Sequence, residues 1–248
     1  MPPRSLLLLA TFGLEIVECG GTLAKHARAG WDVHAAVLLS RPEAQPQIQR
    51  ASQILGVQTR FLNFSYGEVY PDVESKRALV RVIRETRPDI VITQDPEHSF
   101  TDLDPDRREA MILYLEALSL AGRDFAVEAC GGLPPHQVHH IYYMTPEHPN
   151  CVVDISDVYH LKMKALDELG YQLAFTAKVL KRQMSDASLR AVVPNYEEVK
   201  DNDLELGRAL HREMEKALAL AHGIAGHSGA ALGEAYRREG YFKLEYLL

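Results

Sequence analysis

The sequence predicts an α/β fold: a Rossmann-like three-layer domain with a mostly parallel sheet and a helical C-terminal portion. Two observations support this prediction. In the first half of the chain, short apolar runs of strand length alternate with segments of helical spacing, which is the pattern of right-handed βαβ units. In the second half, long helical patterns dominate. Because no repeat, low-complexity tract or linker interrupts the 248 residues, we expect a single domain spanning 1–248.

The first unit of this alternation opens the chain. The run 5–11, SLLLLAT, lacks polar alternation, so we expect a strand that is buried on both faces. Helical spacing follows from Ile16 to Ala29 and stops at Gly30. The run 32–40, DVHAAVLLS, predicts the second strand.

The alternation continues with further strands at 58–64 and 89–93 and with helices at 45–56 and 74–88, the second of which ends at Pro88. The remaining predicted elements are a polar loop at 94–106, a helix at 107–120, strands at 139–144 and 151–155, a long helix capped by Ser156 and Asp157 and running to about Gln183, a helix at 202–222, a loop at 226–233 and a terminal segment with aromatic and leucine anchors at 234–248.

Composition excludes several classes of protein. With 46% apolar and 25% charged residues the chain is typical of globular proteins, and its net charge of −7, with scattered Lys and Arg, argues against nucleic acid as a partner. The apolar run near the N-terminus is too short for a secretion signal, and no stretch approaches the roughly 18 apolar residues of a membrane span. The three cysteines have no paired spacing, so we expect reduced thiols and a cytoplasmic location.

Two loops are placed where a parallel sheet binds its ligands, outside the carboxyl ends of the strands. One is the turn 11–15 after the first strand, and the other is the polar loop 94–106 after the fourth. We therefore expect any functional site to be built from these two loops.

Residues 10–22, ATFGLEIVECGGT, resemble the opening motif of the LmbE/PIG-L family of zinc-dependent N-deacetylases, whose pattern is A-H-P-D-D-E-x-x-x-C-G-G-T. The resemblance continues through RPDIVITQDPE, DPDRREA, VVDISDVYHLKMKAL and GEAYRR, so it covers nearly the whole chain. The positions of the first motif that match without a gap are Ala10, Glu15, Cys19, Gly20, Gly21 and Thr22. The resemblance implies the Rossmann-like fold predicted above.

The functional residues of that family are not found at the matching positions. The resemblance implies zinc ligands at the positions of Thr11, Leu14 and Arg107 and a general base at the position of Gly13. It also places the first histidine of the family's H-P-D-H motif at Asp104.

A further family histidine, which supports the oxyanion, corresponds to Leu169, and only the neighbouring Gln172 is retained. A catalytic zinc needs about three N, O or S ligands. Threonine is a poor ligand and leucine is none. At ~4 Å and an effective dielectric of about 20, a contact between unit charges is worth ~4 kcal/mol, and the repulsion between Arg107 and a dication is twice that. We therefore expect no zinc and no other cofactor.

Several polar residues remain as candidates, each with two interpretations. Glu15 is either a base or partner of Arg107, or a carboxylate stabilised by a helix N-terminus. Arg107 either binds a carboxylate or phosphate, or pairs with Asp104, Asp95 or Glu15. The acidic loop either holds an oxygen-liganded metal or serves in turns and helix caps. The residues proposed to contact a ligand are Thr11, Gly13, Glu15, Asp95, His98, Asp104 and Arg107.

Three hypotheses follow. The leading one is a divergent family member that has lost zinc-dependent deacetylation and acts as a ligand-binding or interaction protein, with a small anionic or sugar-like ligand or a second copy of itself as partner. The second is a repurposed metal-independent hydrolase or lyase that uses Glu15, the carboxylates of 95–106 and Arg107. The third is an N-deacetylase with a relocated metal site.

Overall fold

The computed structural model describes residues 4–239, and its centre is a seven-stranded sheet in the order β3-β2-β1-β4-β5-β7-β6. The first five strands are parallel, whereas β7 runs antiparallel to both of its neighbours. The strands are β1 (Ser5–Ala10), β2 (Asp32–Val37), β3 (Gln58–Phe61), β4 (Ile90–Gln94), β5 (His140–Met144), β6 (Cys151–Asp154) and β7 (Gly233–Arg238). The mostly parallel α/β fold is confirmed.

Helices cover both faces of this sheet. They are α1 (Glu15–Glu18), α2 (Gly20–Arg28), α3 (Gln45–Leu55), α4 (Val73–Thr86), α5 (Pro96–Phe100), α6 (Pro105–Ala121), α7 (Tyr159–Glu168), α8 (Gly170–Gln183), α9 (Asp186–Val192), α10 (Tyr196–Val199) and α11 (Asp203–His222). No helix in the part of the chain that the structure describes is long and apolar enough to cross a membrane.

The strand β1 explains why the sheet needs helices on both sides. Leu6 and Leu8 point into a core formed with α2, α3 and α7, while Leu7 and Leu9 point into a second core formed with α4 and α6. All of them are at most 1% exposed. A strand buried on both faces has no polar alternation, which is the pattern seen in its sequence.

The helical C-terminal portion has a small core of its own between α8, α9 and α11. The helices α8 and α11 approach closely at Gly207, where an added Cβ would lie 1.9 Å from the carbonyl oxygen of Leu173. Only glycine allows this approach, so the packing of the two helices depends on that residue.

The structure differs from the predicted elements at several places. The helix predicted for 16–29 is interrupted at Cys19, and the one predicted for 156–183 begins only at Tyr159 and is interrupted at Leu169. The predicted polar loop 94–106 contains the short helix α5, and α9 and α10 form where no element was predicted.

A further difference is the segment 233–238, predicted to be part of a loop and a terminal segment, which forms β7, an inner strand next to the edge of the sheet. Two of its residues, Glu234 and Arg237, are charged, buried and paired, so the usual apolar pattern of an inner strand is absent. The rest of the predicted terminal segment, 240–248, lies outside the described residues.

Candidate functional site

The turn after β1 is held by a buried polar chain. The Thr11 hydroxyl donates a hydrogen bond to Gln94 Oε1 at 3.0 Å and lies 3.4 Å from the Tyr114 hydroxyl. The Gln94 amide in turn donates to the carbonyl oxygen of Arg107. Thr11 is 1% exposed. Its hydroxyl is therefore occupied in joining the ends of β1 and β4 to α6.

Gly13 has no room for a side chain. A Cβ at this position would lie 2.3 Å from Cδ1 and 2.6 Å from Cγ1 of Ile48 on α3. Ile48 is itself 5% exposed and part of the core. The neighbouring Leu14 packs against the same core. The space beside this turn is thus filled by apolar side chains.

Glu15 and Arg107 lie close together but do not form a hydrogen-bonded pair. Both carboxylate oxygens of Glu15 accept the Phe12 N–H, at 3.0 and 3.1 Å, and the residue is 3% exposed. Burial raises the pKa of Glu15 above its usual value, although the charge of Arg107 and the Phe12 N–H oppose the shift.

The guanidinium of Arg107 lies over the ring of Phe12, 5.3 Å from its centroid, and its Nε is 3.5 Å from Asp102 Oδ2. Asp102 is not among the three partners considered from the sequence. Burial lowers the pKa of Arg107, but the carboxylates of Glu15 and Glu18 outweigh this effect and raise it. Arg107 therefore keeps its positive charge at every physiological pH.

Carboxylates of the loop 94–106 accept hydrogen bonds from backbone N–H groups. Asp95 is 0% exposed, caps α5 through the Glu97 N–H at 2.8 Å, and forms a two-point ion pair with Arg237 at 2.7 and 2.8 Å. Asp104 caps α6 by accepting the Asp106 N–H at 2.9 Å. Helix capping is one of the two interpretations that the sequence left open for this acidic loop. Asp95 is buried, however, and is also paired with Arg237.

His98 lies away from the other candidates, with Nδ1 2.9 Å from Glu147 Oε1. Within residues 4–239 no group of three or more His, Cys, Asp or Glu side chains is arranged to hold a metal ion. Of the seven candidates, the structure brings together Thr11, Gly13, Glu15 and Arg107. The other three have different contacts: Asp95 and Asp104 cap helices, and His98 contacts Glu147.

Two cavities flank the turn. The first, about 60 Å³ in volume, lies between the turn and the helices α3 and α8. Arg41 stands at its edge with the guanidinium 5.6 Å from the centre of the Tyr66 ring. Its walls include Phe12, Gly13, Arg41, Tyr66, Tyr171 and Gln172.

The second cavity, about 300 Å³ in volume, lies between α1, α7, α11 and the ends of β5 and β7. We call it the acidic cavity, and its polar walls include Glu18, Glu147, Lys162, Glu215 and Glu234. Neither of the two cavities is lined by Thr11, Glu15 or Arg107.

The residues of the acidic cavity other than His98 were not predicted as site residues. Lys162 is 3% exposed and its Nζ lies 2.9 Å from both Glu215 Oε2 and Glu234 Oε1. These residues come from separate parts of the chain, and Lys162 and Glu215 each occur in an ordinary helical pattern. The only sequence signals were the position of Glu18 beside the cysteine of the first motif and of Glu234 in GEAYRR.

Comparison with known proteins shows what the chain is similar to. Residues 15–106 match the family model described as PIG-L, GlcNAc-PI de-N-acetylase. The match covers less than half of the chain, which is similar to this family over those residues. A relative, the diacetylchitobiose deacetylase of Thermococcus kodakarensis, is 36% identical over 121 residues. That match covers 48% of this chain and 45% of the relative, so it spans about half of each protein.

Two solved structures of other proteins share the fold. The N,N'-diacetylchitobiose deacetylase of Pyrococcus horikoshii superposes with a TM-score of 0.68 at 20% identity, over 96% of this chain and 84% of that one. The 4-carboxy-2-hydroxymuconate hydratase GalB of Pseudomonas putida superposes with a TM-score of 0.69 at 18% identity, over 99% and 100% of the two chains. At these identities the likeness establishes the fold.

Proposed function

We propose that this protein is a divergent member of the PIG-L family that binds a small sugar-like or anionic ligand and does not carry out zinc-dependent deacetylation. The observation that carries the proposal is the packing of the turn after β1. At Gly13, where the resemblance to the family implies the general base, Ile48 occupies the space that a side chain would need. A carboxylate cannot be placed there without moving the core.

The residues at the family's zinc positions do not fit a zinc ion. The Thr11 hydroxyl is engaged with Gln94, and Leu14 offers no donor atom. The third position is Arg107, whose guanidinium is charged and stacked on Phe12. Zinc sites in proteins need about three N, O or S ligands. The residues at these three positions therefore do not provide the ligands for a zinc-dependent step.

The first cavity has the chemistry expected for the proposed ligand. Tyr66 is 48% and Tyr171 is 39% exposed, so both present aromatic surface at its mouth. Arg41 adds a guanidinium that suits a carboxylate or phosphate, and Gln172 adds an amide for hydroxyl groups. The interior admits a single small group, while a sugar ring would lie over the tyrosines. The relative named diacetylchitobiose deacetylase favours the sugar class.

Three measurements on protein purified without chelator test this proposal. We expect substoichiometric zinc by elemental analysis, no acetate released from N,N'-diacetylchitobiose, and saturable binding of that sugar by calorimetry. Tyr66→Ala should weaken binding, whereas Tyr70→Ala should not, because Tyr70 is exposed and does not line the cavity. Stoichiometric zinc together with acetate release would refute the proposal.

A metal-independent hydrolase or lyase is the second candidate, and the burial of Glu15 with its raised pKa supports it. Against it, Glu15 and Arg107 do not line either flanking cavity. If a substrate is found, Glu15→Gln and Arg107→Ala distinguish the two. Loss of turnover in both, with ligand affinity unchanged, would favour the enzyme over the binding protein.

A further inference from the structure

We propose that the acidic cavity is a second binding site, and that its ligand is a compact organic cation: a primary or secondary ammonium group on an apolar body. This site is separate from the first cavity, so the inference goes beyond the proposed function and does not depend on it. It follows from a count of the donors and acceptors that the walls leave free.

Lys162, the one lysine that lines the cavity among residues 4–239, uses all of its hydrogen-bond donors. Lys162 Nζ contacts Glu215 Oε2 at 2.9 Å, Glu234 Oε1 at 2.9 Å and the carbonyl oxygen of Glu18 at 2.8 Å. An ammonium group has three N–H donors, and all three are used here. Lys162 therefore organises the site and cannot bind an anionic ligand.

Glu234 is saturated in the same way. Its Oε1 accepts the Gly21 N–H at 2.8 Å as well as Lys162, and its Oε2 accepts the Thr22 N–H at 2.7 Å. Its Oε2 also lies 3.1 Å from the Tyr236 hydroxyl. This carboxylate is fixed against the start of α2, so its charge is balanced by Lys162 and by backbone donors.

Three carboxyl groups of the wall keep free acceptors. Glu147 contacts His98 through Oε1 only, and the other two are less exposed. Within residues 4–239 the Glu18 carboxyl makes no hydrogen bond or ion pair, and Glu215, which is 6% exposed, uses only Oε2. With Lys162 already balanced by Glu234, the Glu215 carboxylate leaves the inner part of the cavity with excess negative charge, and Glu18 adds to it when it ionises. Both the free acceptors and the negative charge favour a cationic ligand that donates hydrogen bonds.

The remaining walls indicate an organic cation. Met144, Pro146, Leu218 and Ala219 give the cavity an apolar side. Within the described residues no set of three His, Cys, Asp or Glu side chains converges as a metal site would require. A volume of about 300 Å³ is at the lower end of the range for sites that bind small molecules. An alkyl- or arylalkylammonium ion can donate hydrogen bonds to the carboxyl groups and pack its hydrocarbon part against the apolar side of the cavity.

The ionisation of Glu18 gives this site a pH dependence. Burial, followed by the charges of Glu15 and Glu215, raises the pKa of Glu18 to about 8, while Arg107 and Lys162 oppose the rise. Other titratable groups in the walls are Cys19, His98, Glu147, His222, Glu234 and Tyr236.

At about pH 7 most of the Glu18 carboxyl is protonated, and a bound cation favours the ionised form. Binding should therefore release a proton at about pH 7 and tighten as the pH rises to about 9, since an alkylammonium stays charged until about pH 10.

Calorimetry with benzylammonium chloride on the full chain tests the inference, with benzyl alcohol as the neutral probe of similar shape. We expect saturable binding of the ammonium that is about tenfold or more tighter than that of the alcohol. Titrations in two buffers of different ionisation enthalpy should show proton uptake by the buffer at about pH 7. Equal binding of the two probes, or displacement of benzylammonium by Mg²⁺ at matched ionic strength, would overturn the proposal.

Matched variants distinguish binding in the acidic cavity from a general effect of the protein's net charge. Glu18→Gln should weaken benzylammonium binding about tenfold and abolish the proton release, and Glu215→Gln should weaken binding further. Glu213→Gln makes the same change on α11 outside the cavity wall and should leave affinity unchanged. Because the Glu18 carboxyl has no partner among residues 4–239, Glu18→Gln should fold normally. Unchanged binding in that folded variant would overturn the assignment, whatever the outcome for zinc or sugar at the first cavity.

Discussion

Gly13→Ala adds one methyl group at the most crowded point of the turn after β1. Gly13 is not among the residues with positive φ, so alanine meets no backbone strain there, and the effect is steric. The new Cβ would lie 2.3 Å from Ile48 Cδ1. Carbon atoms in contact normally stay about 3.5–4.0 Å apart, so the overlap exceeds about 1 Å.

The expected cost of this overlap is about 1–3 kcal/mol, typical of overpacking a core. Replacing glycine by alanine also lowers the conformational entropy of the unfolded chain, which stabilises the folded state by about 0.4–1 kcal/mol. From the middle of each range the net loss is about 1.3 kcal/mol, which for a chain of this length lowers Tm by roughly 3–5 °C. Urea denaturation followed by circular dichroism measures the loss directly.

A double-mutant cycle identifies the cause. Ile48→Ala removes both crowded atoms and should by itself destabilise the protein by about 2–5 kcal/mol. Adding Gly13→Ala to that variant should cost nothing or restore some stability, giving a coupling energy of at least about 1 kcal/mol. If Gly13→Ala is neutral in the native background, or if the two changes are additive, the space beside Gly13 is open and the reasoning about the missing base is wrong.

Three further predictions concern buried charges. Lys162→Met leaves two carboxylates without their cation and should cost about 3–5 kcal/mol in urea denaturation, whereas Lys216→Met on the exposed side of α11 should cost less than about 0.5 kcal/mol; equal effects would contradict the pairing. Asp95→Ala removes a helix cap and the partner of Arg237, and a loss below about 2 kcal/mol would show that this pair is dispensable. The pKa of Glu18 is raised from 4.5 to about 8, so the folded state holds a proton that the unfolded state releases, and stability declines as pH rises through that window. Glu18→Gln should decline less between those pH values, and identical slopes would refute the shift.

The sequence predicted the parallel part of the sheet well because its strands are continuous apolar runs. Leu6 to Leu9 bury both faces of β1, and that pattern is visible locally. The strand β7 was missed because its decisive contacts are distant in sequence. Glu234 is paired with the start of α2, and Arg237 with Asp95, so two charged residues occupy an inner strand. A local pattern cannot show which charges are neutralised by remote partners.

The same reason limited the prediction of the site. The turn 11–15 and Arg107 were identified from the motif and lie together in the structure, because both follow neighbouring parallel strands. The acidic cavity depends on Glu18, Lys162 and Glu215, which belong to three helices and meet only through tertiary packing. The crowding at Gly13 could not be predicted either, because nothing in the sequence indicates that Ile48 packs against this residue.

The placement of β7 has a consequence for the order in which the chain folds during its synthesis. Among the described strands, the edge strand β6 pairs with β7 alone, and β7 lies between β6 and β5. When the ribosome has made β6, this strand cannot yet join the sheet, because its partner β7 is encoded about eighty residues later. Until then the open side of β5 is an unpaired edge, the kind of surface that promotes association between nascent chains. Completion of the sheet is thus a late event that depends on Gly233–Arg238.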